Sequence, residues 1–105
     1  MQEGIIYLIH STNELGDVYK IGLTKNLPQR VKQHVTSNID ITVVESFNSN
    51  YMYKLESTLH RYYKSKQITH EWFLLDETDV SEFKNKCTLF EDNISLLMKS
   101  NNPFL

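Results

Sequence analysis

The chain is 105 residues long, with 40% hydrophobic and 23% charged residues, a composition that reads as one soluble globular domain too short for a second core. A formal net charge of −2 excludes a general nucleic-acid coat, and no apolar run approaches the length needed to cross a bilayer. The single cysteine, Cys87, excludes an internal disulfide and a thiolate zinc cluster, and with no basic-then-apolar leader at the start a cytoplasmic setting is expected.

The first element is a strand over about 4–10, because the apolar run Ile5-Ile6-Tyr7-Leu8-Ile9 is bounded by polar residues. The turn-rich stretch Ser11 to Asp17 follows, with Gly16-Asp17 suited to reverse the chain into a second strand, Val18 to Leu23. A hairpin is expected. Helix one begins at Asn26 as N-cap, tolerates Pro28 in its first turn and runs to about His34 or Val35. Arg30 and His34 lie four residues apart on it and share one side, a cationic fork beside a proton carrier. Ile41 to Phe47 is a third strand of β-favouring residues, which gives a three-stranded sheet.

Asn48-Ser49-Asn50 can cap a second helix over about 50–65, with Met52, Leu55, Leu59 and Tyr62 as its core stripe and Glu56, His60 and Tyr63 beside them. Glu71 to Asp76 is too short for a helix and reads as a short strand or extended segment anchored by Trp72. Thr78 or Asp79 can cap a final helix of about 79–99, or two shorter ones, in which Val80, Phe83, Cys87, Phe90 and Ile94 keep the helical period. The last residues, 100–105, read as a frayed end. Cys87 fits a small core residue better than a catalytic thiol.

Charge is unevenly spread along these elements. Residues 1–70 carry eight Lys/Arg against six Asp/Glu, whereas 71–105 carry three against seven. Between residues 18 and 34 there are four basic side chains (Lys20, Lys25, Arg30 and Lys32) and no acidic one, a local surface for phosphates. An ordinary solvated helix face is the plain alternative.

The order strand, turn, strand, helix, with Tyr7, then Tyr19-Lys20-Ile21-Gly22, then Arg30, His34 and Glu56, resembles the GIY-YIG nuclease superfamily. It is more closely similar to the T5orf172 or MUG113-like branch, through Lys20-Ile21-Gly22-Leu23-Thr24, Glu56 with Leu59-His60, and Glu71-Trp72-Phe73. The motifs span about residues 4–75. Two positions depart from the pattern. Ile5 stands where the superfamily has Gly, and Lys20 stands where its nucleases have a tyrosine, with Tyr19 displaced by one residue and so facing the other side of the strand.

The resemblance implies a metal-dependent endonuclease acting on DNA. Glu56 would be the sole protein carboxylate on Mg²⁺ or Mn²⁺, Arg30 would grip the scissile phosphate, and Tyr7 would act on the attacking water as base or relay. Lys20 would supply a cation or a base, and His34 would shuttle a proton. Lys20, Lys25, Arg30 and Lys32 would bind the nucleic acid. The fold expected is α/β of the α+β kind: a small, mostly antiparallel three-stranded sheet flanked by helices, GIY-YIG-like. Residues 1–76 would form the nuclease core and 77–105 a C-terminal helical extension packed on the same domain. DNA is the expected partner, and the extension is where a second copy or another protein could pair. A non-cleaving nucleic-acid-binding module that retains the phosphate site is the rival reading.

Overall fold

The computed structural model describes residues 3–37 and 40–100. Its first two elements are β1 (Gly4–Asn13) and β2 (Gly16–Thr24), paired antiparallel from Ile5↔Thr24 to Asn13↔Gly16. The reversal therefore falls on Glu14-Leu15, two residues earlier than Gly16-Asp17. Asn13 Oδ1 accepts the Leu15 N–H at 2.8 Å, and Gly16 takes φ +102, which costs a residue without Cβ little.

The helix α1 (Leu27–Ser37) follows directly. Asn26 is its N-cap as expected, its Oδ1 accepting the Gln29 N–H at 3.1 Å, while Thr24 Oγ1 accepts the Asn26 N–H at 3.1 Å and fixes the angle between strand and helix. β3 (Thr42–Ser49) returns to pair with β1 on its other edge. α2 (Met52–Tyr62) then begins without a side-chain cap. The expected capping cluster does a different job: Ser49 Oγ accepts the Tyr51 N–H at 2.9 Å and donates to Glu91 at 2.7 Å, tying the helix entry to the far end of the chain.

Among the described residues the sheet has five strands, not three. After a short 3-10 turn (Lys64–Lys66), β4 (Gln67–Thr69) and β5 (Trp72–Phe73) form a second small hairpin, and the order is β3-β1-β2-β5-β4, antiparallel throughout. Strands of three and two residues are too short to produce an alternating apolar pattern; β5 exists by pairing with β2, and β4 by pairing with β5. α3 (Glu77–Lys99), the last element among the described residues, is one continuous helix. Its cap is Asp76, not Thr78 or Asp79; Asp79 supplies the other half of a capping box, and Lys66 pairs with both carboxylates. The stretch 101–105 of the expected frayed end lies outside the described residues.

Pairing places Ile6 and Leu8 beside Leu23 and Ile21 on one face, where α2 and α3 pack with Leu55, Leu59, Phe83 and Cys87. Burial of about 1.5–3 kcal/mol per large side chain makes this the stabilising layer. Two anchors differ from expectation. Tyr62 is 51% exposed while Tyr63 is buried, because the helix ends at Tyr62 and the next residue turns inward to stack on Phe83. Phe73, opposite Tyr19, is fully buried on the helix face, whereas Trp72, opposite Lys20, is half-buried on the other. Cys87 is a core residue. Among the described residues no helix is long and apolar enough to cross a membrane.

Candidate active site

The other face of the hairpin carries Tyr7, Ile9, Lys20 and Gly22, since residues alternate sides and the register sets Tyr7 against Gly22 and Ile9 against Lys20. Tyr7 is almost fully buried with its ring laid over Gly22. A Cβ at Gly22 would lie 2.5 Å from Tyr7 Cζ and closer still to the hydroxyl, so only glycine leaves room for this placement. α1 brings His34 to the same spot, with Nε2 3.3 Å from the Tyr7 hydroxyl and the two rings edge-on. Arg30, one turn earlier, is close enough to act electrostatically on both.

β5 covers only Tyr19 and Lys20, and this leaves the edge of β2 open just beyond. Ile21 N–H still reaches Glu71 O, at 3.0 Å, but Ile21 O lies 2.9 Å from His60 Nε2 of α2. The carbonyl can only accept, so Nε2 is the donor in this contact, and in the neutral ring the lone pair lies on Nδ1. Glu56, one turn earlier on α2, arrives at the same edge. Glu71 comes from the turn between β4 and β5, where His70 adopts a left-handed φ of 47. Lys20 Nζ lies 3.4 Å from Glu71 Oε2.

These neighbours shift one another's protons. Burial pushes the Tyr7 phenol up to about 12; Arg30 opposes this, and Glu71 and Glu56 add to it. Burial, with Lys20 and Arg30 beside it, holds His34 below the usual imidazole range, so it is neutral at physiological pH. Burial, the adjacent Glu71 charge and a side-chain hydrogen bond between the two carboxyls raise Glu56 to about 7, with Lys20 opposing. Glu56 Oε2 is fully buried and makes no hydrogen bond, a costly condition for a carboxyl oxygen. Glu56, His60 and Glu71 each present one ligand atom, all within 4.8 Å of one another.

Tyr7, Lys20, Arg30, His34 and Glu56 are thus drawn from four elements into one cleft. Lys25 and Lys32 are exposed, and Lys25 lines a separate hollow with Gly4, Ile5 and Asn48. Two participants stand outside the residues expected from sequence. Glu71 belongs to the Glu-Trp-Phe motif, but its place in the cleft depends on a turn between two strands too short to read. His60 was legible by its spacing from Glu56; its bond to the sheet edge was not. A cleft of about 330 Å³ continues from Glu56 and His60 along α2, lined also by Ser57, Arg61, Lys64 and Gln67.

Comparison with known proteins matches residues 4–88 to the T5orf172 domain, a span that runs past the motifs and into α3. The chain is 30% identical over 93 residues to Uncharacterized protein 460R of Invertebrate iridescent virus 6; the match covers 81% of this chain and 42% of that protein, so the chain spans less than half the length of its curated relative. No solved structure matches it.

Proposed function

The chain belongs to the T5orf172 domain family, and from that premise we propose that it is a GIY-YIG-type endonuclease, cutting DNA in a metal-dependent reaction with weak intrinsic sequence specificity. The observation that carries this reading is the convergence of a phenol, a guanidinium, a neutral imidazole and an unpartnered carboxyl oxygen in one cleft.

The residues present fit a divalent cation. Glu56 Oε2 lacks a partner, and the donors around it are the carboxylate and imidazole types that such ions take. Glu56 would hold Mg²⁺ or Mn²⁺, which when bound supplies positive charge to phosphoryl oxygens and to the leaving oxygen.

The protein's own groups do the rest. Arg30 offers a two-pronged donor to the phosphate, and its cation suits the charge that builds up during attack. Tyr7 keeps its proton at neutral pH, so its hydroxyl orients the attacking water and relays a proton instead of removing one unaided. Neutral His34, 3.3 Å away, can accept that proton at Nε2. Lys20 holds Glu71 beside Glu56 and adds a second cation on the phosphate side. Lys25 and Lys32 extend the positive surface; contacts of this kind position DNA without reading its bases, hence the weak specificity. Residues 1–76 would carry this chemistry, with the last helix as a structural extension.

The test is nicking of supercoiled plasmid in Mg²⁺, Mn²⁺ or EDTA, beside Glu56→Ala and Arg30→Ala shown by circular dichroism to be folded. Metal-dependent nicking lost in both variants is expected. The ion pair that engages Lys20 at the superfamily's tyrosine position favours one other reading, a domain that binds DNA without cutting. Salt-sensitive, metal-independent binding with no nicking would establish it.

A further inference from the structure

We infer that Glu56, His60 and Glu71 form a single three-donor site for a first-row transition dication, one that takes Mn²⁺ in preference to Mg²⁺. This deepens the nuclease reading and rests on its premise that Glu56 meets a cation. It departs from that reading by giving the ion three protein ligands where the superfamily resemblance implies one.

Three observations support the site independently. The ligand atoms lie within 4.8 Å of one another. Donors about 2.1 Å from a common ion stand roughly 3–4 Å apart, so small side-chain movements close the remaining gap. His60 is oriented as a ligand: its Nε2–H donates to Ile21 O at 2.9 Å, so in the neutral ring Nδ1 is the nitrogen open to an ion. Metal-bound imidazoles are held in this way, the other nitrogen donating to a backbone carbonyl or carboxylate. Glu56 Oε2, finally, is buried without a partner. Without an ion the pocket sets the Glu56 and Glu71 carboxyls side by side, with Lys20 Nζ 3.4 Å from Glu71 Oε2.

The donor set decides which ion. Mg²⁺ prefers oxygen ligands, keeps several waters and gains little from imidazole. Among first-row dications the nitrogen donor adds affinity, and two carboxylates with one imidazole suit Mn²⁺ while still accepting its heavier neighbours. Glu56 and His60 share one helix face, so α2 presets their spacing. Glu71 arrives from a two-residue turn and completes the set.

The experiment uses the full chain without DNA. Mn²⁺ binding is followed by loss of the free-ion electron paramagnetic resonance signal, with Mg²⁺ as competitor, and pulsed spectra of the bound ion are examined for coupling to an imidazole nitrogen. One Mn²⁺ per chain with nitrogen coupling is expected. Glu71→Gln should weaken binding at least about tenfold, and His60→Ala should abolish the coupling and most of the preference over Mg²⁺. His60→Ala also removes the Ile21 contact, so Glu71→Gln, which leaves α2 intact, decides the matter if that variant unfolds. Mn²⁺ bound without nitrogen coupling and indifferent to Glu71→Gln, or no binding at all, would overturn the site. Plasmid nicking is scored separately. Nicking by wild type together with a failed Mn²⁺ result leaves the nuclease reading standing, whereas three-donor binding with no nicking removes the nuclease and keeps the site.

Discussion

Glu56→Gln should stabilise the protein above neutral pH and change it little in acid. Glu56 titrates at about 7 in the fold against 4.5 in an unstructured chain, so the folded state binds its proton more tightly. With the folded value raised, the contribution is complete below pH 4.5 and is lost as pH rises through about 7. The gap converts to roughly 3 kcal/mol. Solvent reaches part of the cleft and screens the charge, which reduces the expected loss to about 1–2 kcal/mol. Glutamine keeps a neutral group of the same shape beside Glu71 and has no charge to develop. For a domain of this size the difference between variant and wild-type melting temperature should therefore widen by roughly 5–10 °C between about pH 5 and about pH 8.5. The assay is thermal unfolding by circular dichroism across that range, in EDTA. His34 acts in the opposite sense, since a lowered imidazole costs stability as pH falls, but it is common to both proteins and cancels in the difference. Parallel melting curves for the two proteins at every pH would refute the reasoning, because Glu56 would then titrate as an ordinary surface carboxylate.

Two further outcomes follow from the geometry. Gly22→Ala must push the Tyr7 ring out of a fully packed position, so denaturant unfolding should report a loss of about 1–3 kcal/mol. An unchanged midpoint would mean that the ring has space elsewhere. Because Arg61 and Lys64 line the cleft that continues from Glu56, reversing both to Glu should weaken binding to a short duplex, measured by fluorescence anisotropy. The same change should flatten the salt dependence by about two counterions. Unaltered affinity and salt slope would show that DNA leaves the site in another direction.

Most of the frame was legible because its signals are local. Alternating or continuous apolar runs marked β1, β2 and β3, Asn26 and Pro28 marked the start of α1, and the period of Phe83, Cys87 and Ile94 marked α3. What was missed depends on partners distant in sequence. β5 falls within the segment read as a short strand or extended piece, but its pairing with β2, and β4's pairing with β5, could not be seen in a window of a few residues. The choice between Tyr62 and Tyr63, or between Trp72 and Phe73, turns on where a helix stops or which side of a ladder a residue meets. Side-chain spacing brought Arg30 to His34 and Glu56 to His60. The motif order ranked Glu56 and Lys20 as members of one cleft. Glu71 needed the β4–β5 turn, and its role as Lys20's partner emerged only with the register.

The bond from His60 to Ile21 O has a consequence beyond orienting an imidazole. That carbonyl stands where β5 would have paired had it been one residue longer, and an exposed carbonyl on a sheet edge invites a strand from another molecule. By occupying it, α2 stops the sheet and guards the edge against intermolecular pairing. The place where the sheet ends is also where the polar groups of the cleft gather, so a change that frees this edge should promote self-association as well as unsettle the cleft.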